Sequence, residues 1–185
     1  MPDFDAADEA LLRLIAEHRT DWLTEFCRAL MWAGTSRWAL GAGLLIALAA
    51  VVLTSAYRTA LATALAVALA WFSGGALKVV FDRPRPGPEL SLVRLSESAM
   101  PSTHAAATAA AVTAILAMTT FATPSARRWV TVALVWTLVV IGAAMIYLGG
   151  HWASDVAVGW ALGAGVGIAA ARVCRGRVPS PSPST

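Results

Sequence analysis

Three polar clusters interrupt an otherwise apolar chain, and their residue types are those that handle phosphoryl groups. The first, 78–86, reads Lys-Val-Val-Phe-Asp-Arg-Pro-Arg-Pro; the second, 101–104, Pro-Ser-Thr-His; the third, 151–155, His-Trp-Ala-Ser-Asp. Lys78 supplies a point charge, and Arg85 a planar fork that matches phosphate oxygens. Pro84 and Pro86 end a helix and stiffen the turn that presents the guanidinium. Two cations snorkelling to headgroups would look the same in isolation. Ser102 or Thr103 can cap the Ala-rich segment that follows, leaving backbone N–H groups and the positive end of a helix dipole to hold an anion. An ordinary cap needs the same residues, but it does not need His104. His151 and Asp155 stand four apart, on one face if helical. A carboxylate against one ring nitrogen leaves the other basic and nucleophilic. In the plainer alternative Ser154 or Asp155 is a cap and His151 an interfacial residue. Two of the three histidines in the chain fall in these clusters.

The elements that must position them are membrane helices. The chain has 185 residues, 58% hydrophobic and 14% charged, against about 45–50% apolar and about 25% charged in soluble domains. Five apolar stretches, 38–56, 60–80, 105–121, 129–148 and 156–173, are near the roughly 17–25 residues that cross a bilayer as a helix. The expected fold is all-α: a polytopic bundle of about five spanning helices behind an N-terminal amphipathic interfacial helix. The expected division is an amphipathic segment 1–37, a transmembrane domain 38–175 and a disordered Pro/Ser-rich tail 176–185. In the N-terminal segment Leu11, Ile15, Trp22, Phe26 and Leu30 recur at helical spacing opposite Arg13, Glu17, Asp21, Glu25 and Arg28. That pattern fits one helix lying in the interface or packed on the bundle. It opens with acids, unlike a signal peptide. Gly159, Gly163 and Gly167 would let the last helix approach a neighbour closely. Cys27 and Cys174 suggest apolar filling, with no disulfide framework or metal spacing.

Sidedness follows from the arginines. Five spans place all three clusters on one side, and Arg58, Arg127, Arg128, Arg172, Arg175 and Arg177 on the other. The positive-inside rule makes the second side cytoplasmic. The first side also carries Arg13, Arg19, Arg28, Arg37, Arg83, Arg85 and Arg94. Ionisable groups at membrane depth are costly and mark function by default, so an extracytoplasmic site in a cell membrane is expected. Thirteen Arg against the single Lys78 suggests a GC-rich, bacterial genome. The net charge of +3 and the absence of a basic run with interleaved aromatics argue against nucleic acid.

In order and spacing these residues resemble the type-2 phosphatidic acid phosphatase superfamily of membrane lipid phosphatases. Its pattern is Lys-x6-Arg-Pro, Pro-Ser-Gly-His, then Ser-Arg-x5-His-x3-Asp. Lys78 with Arg85-Pro86, Pro101-Ser102 with His104, and His151 with Asp155 match it; Thr103 stands where Gly is usual. The resemblance implies a lipid phosphate substrate drawn from the bilayer, polyprenyl-linked or a glycerophospholipid, and no cofactor or metal. It implies that His151 attacks phosphorus, Asp155 orients it, and His104 protonates the leaving oxygen. Lys78, Arg85, Ser102 and Thr103, with helix N–H groups, would bind the phosphoryl oxygens. One departure stands out. Ala144 and Met145 occupy the positions of the family's Ser-Arg, and neither can bind phosphate. Arg83 or Arg94 is a possible substitute. Otherwise the chain is a weak enzyme or a lipid-phosphate-binding relative without catalysis. A small transporter would want polar residues near mid-span, where Ser73 and a few Thr are all the sequence offers.

Overall fold

The computed structural model describes residues 2–35, 41, 45, 48–49, 52–53, 55–95 and 98–176. Among them are six helices and no strand: α1 (Pro2–Glu17), α2 (Asp21–Thr35), α3 (Tyr57–Phe81), α4 (Thr103–Met118), α5 (Pro124–Tyr147) and α6 (Ala153–Arg175). The all-α membrane bundle is therefore as expected. Most of the first expected span, 38–56, lies outside the described residues. Three helices, α3, α5 and α6, are long and apolar enough to cross a membrane. The third expected span, 105–121, is shorter than its apolar run. α4 has 16 residues and stops at Met118, because Thr119 is already extended and Thr123 accepts the Ala126 N–H to cap α5, with Pro124 opening that helix.

The N-terminal segment is two helices rather than one. The break at 18–20 is made by long-range bonds that outbid the helix. The Arg19 guanidinium donates to the carbonyls of Tyr147 (3.0 Å) and Leu90 (2.7 Å), and Thr20 N–H donates to the Tyr147 hydroxyl (2.9 Å). α1 packs on the site end of α5 and α6, and α2 on the flank of α5. Leu12 and Cys27 are buried there, while Leu14, Trp22 and Phe26 face outward.

Small residues make the core. On α3, Ala62, Ala66, Ala70 and Gly74 are buried at four-residue intervals, facing Ala106, Ala110 and Ala114 of α4 and Ala170 of α6. α6 turns Gly159, Gly163 and Gly167 to the α4 backbone. A Cβ at Gly159 would lie 2.6 Å from the Ser102 carbonyl, and one at Gly163 would strike the Ala106 carbonyl. In lipid, such close backbone approach replaces the hydrophobic driving force of a soluble core. The same register on α3 continues one turn to Lys78, which is buried for that reason. Snorkelling does not describe it. α5 is peripheral: Trp129, Val132 and Trp136 are exposed, and only Gly142 and Ala144 are buried.

Candidate active site

All three clusters meet at the end of the bundle away from Arg58, Arg127 and Arg175. α3 ends there in a left-handed cap at Asp82, whose N–H returns to the Lys78 carbonyl (3.0 Å). The prolines then hold the chain extended, and Arg85 turns back over the helix ends. The Lys78 ammonium and one Arg85 nitrogen both donate to the Ser98 carbonyl. The other Arg85 nitrogen donates to the Gly150 carbonyl and lies 3.3 Å from His151 Nε2.

His151 is buried in the turn between α5 and α6. That turn needs a glycine: Gly149 has φ +69°, and a Cβ would strike the Leu90 carbonyl. His151 Nδ1 faces Asp155 Oδ2 at 3.5 Å, long for a hydrogen bond, though catalytic bonds often tighten only around substrate. Asp155 is fully buried, and other groups fix its carboxylate. Oδ2 accepts the Trp152 N–H (2.9 Å), and Oδ1 accepts from Arg83 (2.7 Å). Burial pushes the His151 pKa down and Asp155 pulls it up, but Arg85 and Lys78 push it down again; the net is below the ordinary imidazole value. A lowered pKa favours the neutral ring, in which one nitrogen keeps its lone pair.

The N-terminus of α4 completes one wall. Ser102 is buried; its Oγ accepts the Ala105 N–H (3.4 Å), and its own N–H donates to the Asp155 carbonyl (3.1 Å), which fixes α4 against the first turn of α6. Thr103 packs on Gly74, where a Cβ would lie 3.0 Å from its methyl. His104 meets the Trp71 ring edge-on, with centroids 5.1 Å apart and planes at 76°.

The two residues in the place of the family's Ser-Arg diverge. Ala144 is buried against Cys27 of α2, away from the cluster. Met145 points into it, with its sulfur 3.6 Å from Ser102 Oγ, the serine donating.

The two candidate substitutes are placed differently as well. Arg83 spends both terminal nitrogens on Asp155, Ser154, Asp5 and Asp8, so it is a partner of the Asp155 carboxylate rather than a donor standing in at Met145. Arg94 is exposed and shares with Arg85, Gly150, Leu92 and Leu95 a cavity of about 550 Å³. Asp8 and Asp5 escaped sequence reasoning, because 146 residues separate Asp8 from the Ser154 it binds and no local spacing signals such a pair. No group of three or more His, Cys, Asp or Glu that could hold a metal occurs among the described residues.

Comparison with known proteins bears on the family and the fold. The model of the PAP2 superfamily matches residues 56–178. A search of curated proteins returns no match. Among solved structures, the chain is similar to a transmembrane PAP2-type phosphatidylglycerolphosphate phosphatase from Bacillus subtilis, with 22% identity over 96% of this chain and 90% of that one and a TM-score of 0.82. It is also similar to LpxE from Aquifex aeolicus, with 24% identity over 88% of this chain and 93% of that one and a TM-score of 0.71. With the family match covering most of the chain, from the start of α3 through the end of α6, the protein belongs to the PAP2 superfamily of membrane phosphatases.

Proposed function

We propose that the protein hydrolyses a phosphate monoester or diphosphate of a membrane lipid through a phosphohistidine. One observation carries this: His151 turns Nδ1 to a buried carboxylate and Nε2 to the Arg85 fork, 3.3 Å away. A phosphoryl group held by Arg85, Lys78, Ser102 and the N–H groups of α4 would draw the Arg85 N–H to its own oxygens and meet the lone pair of Nε2. Nε2 attacks phosphorus as the bond to the lipid oxygen breaks, and His104 gives that oxygen its proton. Water, deprotonated by His104, then attacks phosphorus, the P–N bond breaks, and phosphate leaves. The donors serve charge that builds on the phosphoryl oxygens in the transition state. Purified protein in detergent should release phosphate from a panel of polyprenyl diphosphate, phosphatidic acid and phosphatidyl glycerophosphate, with EDTA present. No release from any of them would remove the reading; loss with EDTA and recovery with a divalent ion would remove its metal-free mechanism.

The site faces outward on this reading, since Arg58, Arg127, Arg128, Arg172 and Arg175 gather at the other end. A reporter active only in the cytoplasm should work when fused after Thr185; silence there, with an active periplasmic reporter, would reverse the orientation.

A second reading, a lipid-phosphate binder with little turnover, draws on Met145. Its thioether sits beside Ser102, where an arginine would add a donor. Loss of such a donor costs about a hundred- to a thousandfold in rate. Met145→Arg should therefore raise kcat by about tenfold or more, equivalent to about 1.4 kcal/mol, with a smaller gain in apparent affinity. Arg94→Ala in that background separates compensation from absence, since a compensating arginine becomes dispensable once 145 carries the charge. Unchanged kinetics in both variants would mean that Met145 is not at the phosphate.

A further inference from the structure

Beyond the residues that would touch substrate, one buried charge chain reaches His151 from the N-terminal helix. Asp8 is only 6% exposed. One carboxylate oxygen accepts the Ser154 N–H (3.1 Å). The other accepts the Ser154 hydroxyl and an Arg83 nitrogen, the latter at 2.8 Å. Arg83 reaches past it to Asp155 Oδ1 (2.7 Å), and Asp155 faces His151. Asp5 adds a more exposed contact to the same guanidinium at 2.6 Å. Hydrogen bonds from Ser154 and Arg83 outweigh the burial of Asp8 and hold its carboxyl below the usual range, so it is ionised at pH 7. Asp8 also lies outside residues 56–178, the part that matches the family.

The charges give this chain a purpose that helix docking alone does not require. An uncompensated Arg83 against Asp155 would cancel the field with which that carboxylate stabilises a cationic imidazole. Carboxylates on the far side of the guanidinium neutralise it, so Arg83 can fix Asp155 in place without consuming its charge. Residues that hold a functional ligand from behind orient it and tune its basicity.

We propose that Asp8 is a positioning residue of the site, acting through Arg83 on Asp155 and so on His151. The proposal rests on the phosphatase reading. In Asp8→Asn, kcat should fall by about tenfold, the lower end of what outer partners of a ligand cost. KM should stay within about twofold of the parent's, because the phosphate donors are untouched. Asp8→Glu should recover part of the loss. Adding Asp8→Asn to Arg83→Gln should cost nothing further, since residues in one chain of bonds are not additive. The charged groups facing His151 are Lys78 of α3, Arg85 of the following loop and Asp155 of α6, with Arg83 behind Asp155. With Asp8 neutral, Arg83 weighs more heavily, and the His151 NMR resonance, assigned by its absence in His151→Gln, should titrate at lower pH than in the parent. A folded Asp8→Asn protein with parental kcat and parental His151 titration would overturn the proposal, as would additive losses in the double variant. Loss of thermal stability with kcat and titration unchanged would leave Asp8 a docking residue only, which also overturns it. If the parent releases no phosphate from any lipid, the functional reading falls, and the titration alone decides for or against Asp8.

Discussion

On the proposed mechanism, His151→Ala should abolish phosphate release and, with it, any acid-labile phosphoenzyme. This is the largest effect expected from one substitution, because in the proposed mechanism the side chain supplies the atom that bonds to phosphorus and nothing nearby replaces it. Arg85 and Lys78 hold no lone pair while charged, and the Asp155 carboxylate is bound by Arg83 and the Trp152 N–H. The neutral ring also sets the pH response. Its folded pKa lies below the ordinary imidazole value, so the reactive form persists as pH falls through about 6.5. The acid limb of kcat/KM that belongs to this group should lie lower still. Rapid quench with labelled lipid phosphate detects the intermediate. Turnover in His151→Ala within about a hundredfold of the parent, no more than an ordinary acid or base supplies, would place the nucleophile elsewhere.

The second large effect belongs to His104. It stands in the first turn of α4, edge-on to Trp71, in the same turn as the Ser102 cap. A lipid alkoxide is a poor leaving group without a proton, so His104→Ala should slow lipid turnover by about 10²–10⁴-fold. An aryl phosphate, whose oxygen departs readily as an anion, should lose far less in its first step. Phosphoenzyme should then build up, because the same residue is needed to activate water. Equal losses on both substrates in the first step, measured as the rate of phosphoenzyme formation, or none on either, would remove His104 from the proton path.

The grouping of the candidate residues into three clusters was legible because its information is local. Lys78 and Arg85, Ser102 and His104, and His151 and Asp155 are each joined by a short stretch of chain, which keeps them together even though Arg85 stands in the extended segment after α3 and His151 in the turn before α6. The all-α bundle was legible for the same reason, since lipid admits few other ways to satisfy a backbone. What escaped was non-local. The break between α1 and α2 is imposed by Tyr147 and Leu90, and an amphipathic pattern cannot reveal it. Arg83 read as a spare phosphate donor because its three carboxylates come from Asp5, Asp8 and Asp155, distant in sequence and adjacent only in the fold. Met145 and Ala144 show a finer limit. One step along a helix rotates the side chain by about 100°, and only packing decided that Ala144 meets α2 while Met145 meets Ser102.

The glycines of α6 have a consequence for how such a site can change. Because Gly159 and Gly163 press on the main chain of α4, the distance from Ser102 to Asp155 is metered by backbone against backbone, with no side chain between to lengthen or shorten it. That part of the enclosure is a fixed floor. The opposite boundary, where Leu92, Arg94 and Leu95 line the cavity beside Arg85, is built from side chains that can be exchanged without moving a helix. The enclosure thus joins two materials, one rigid and one replaceable, and the second can vary without disturbing the first.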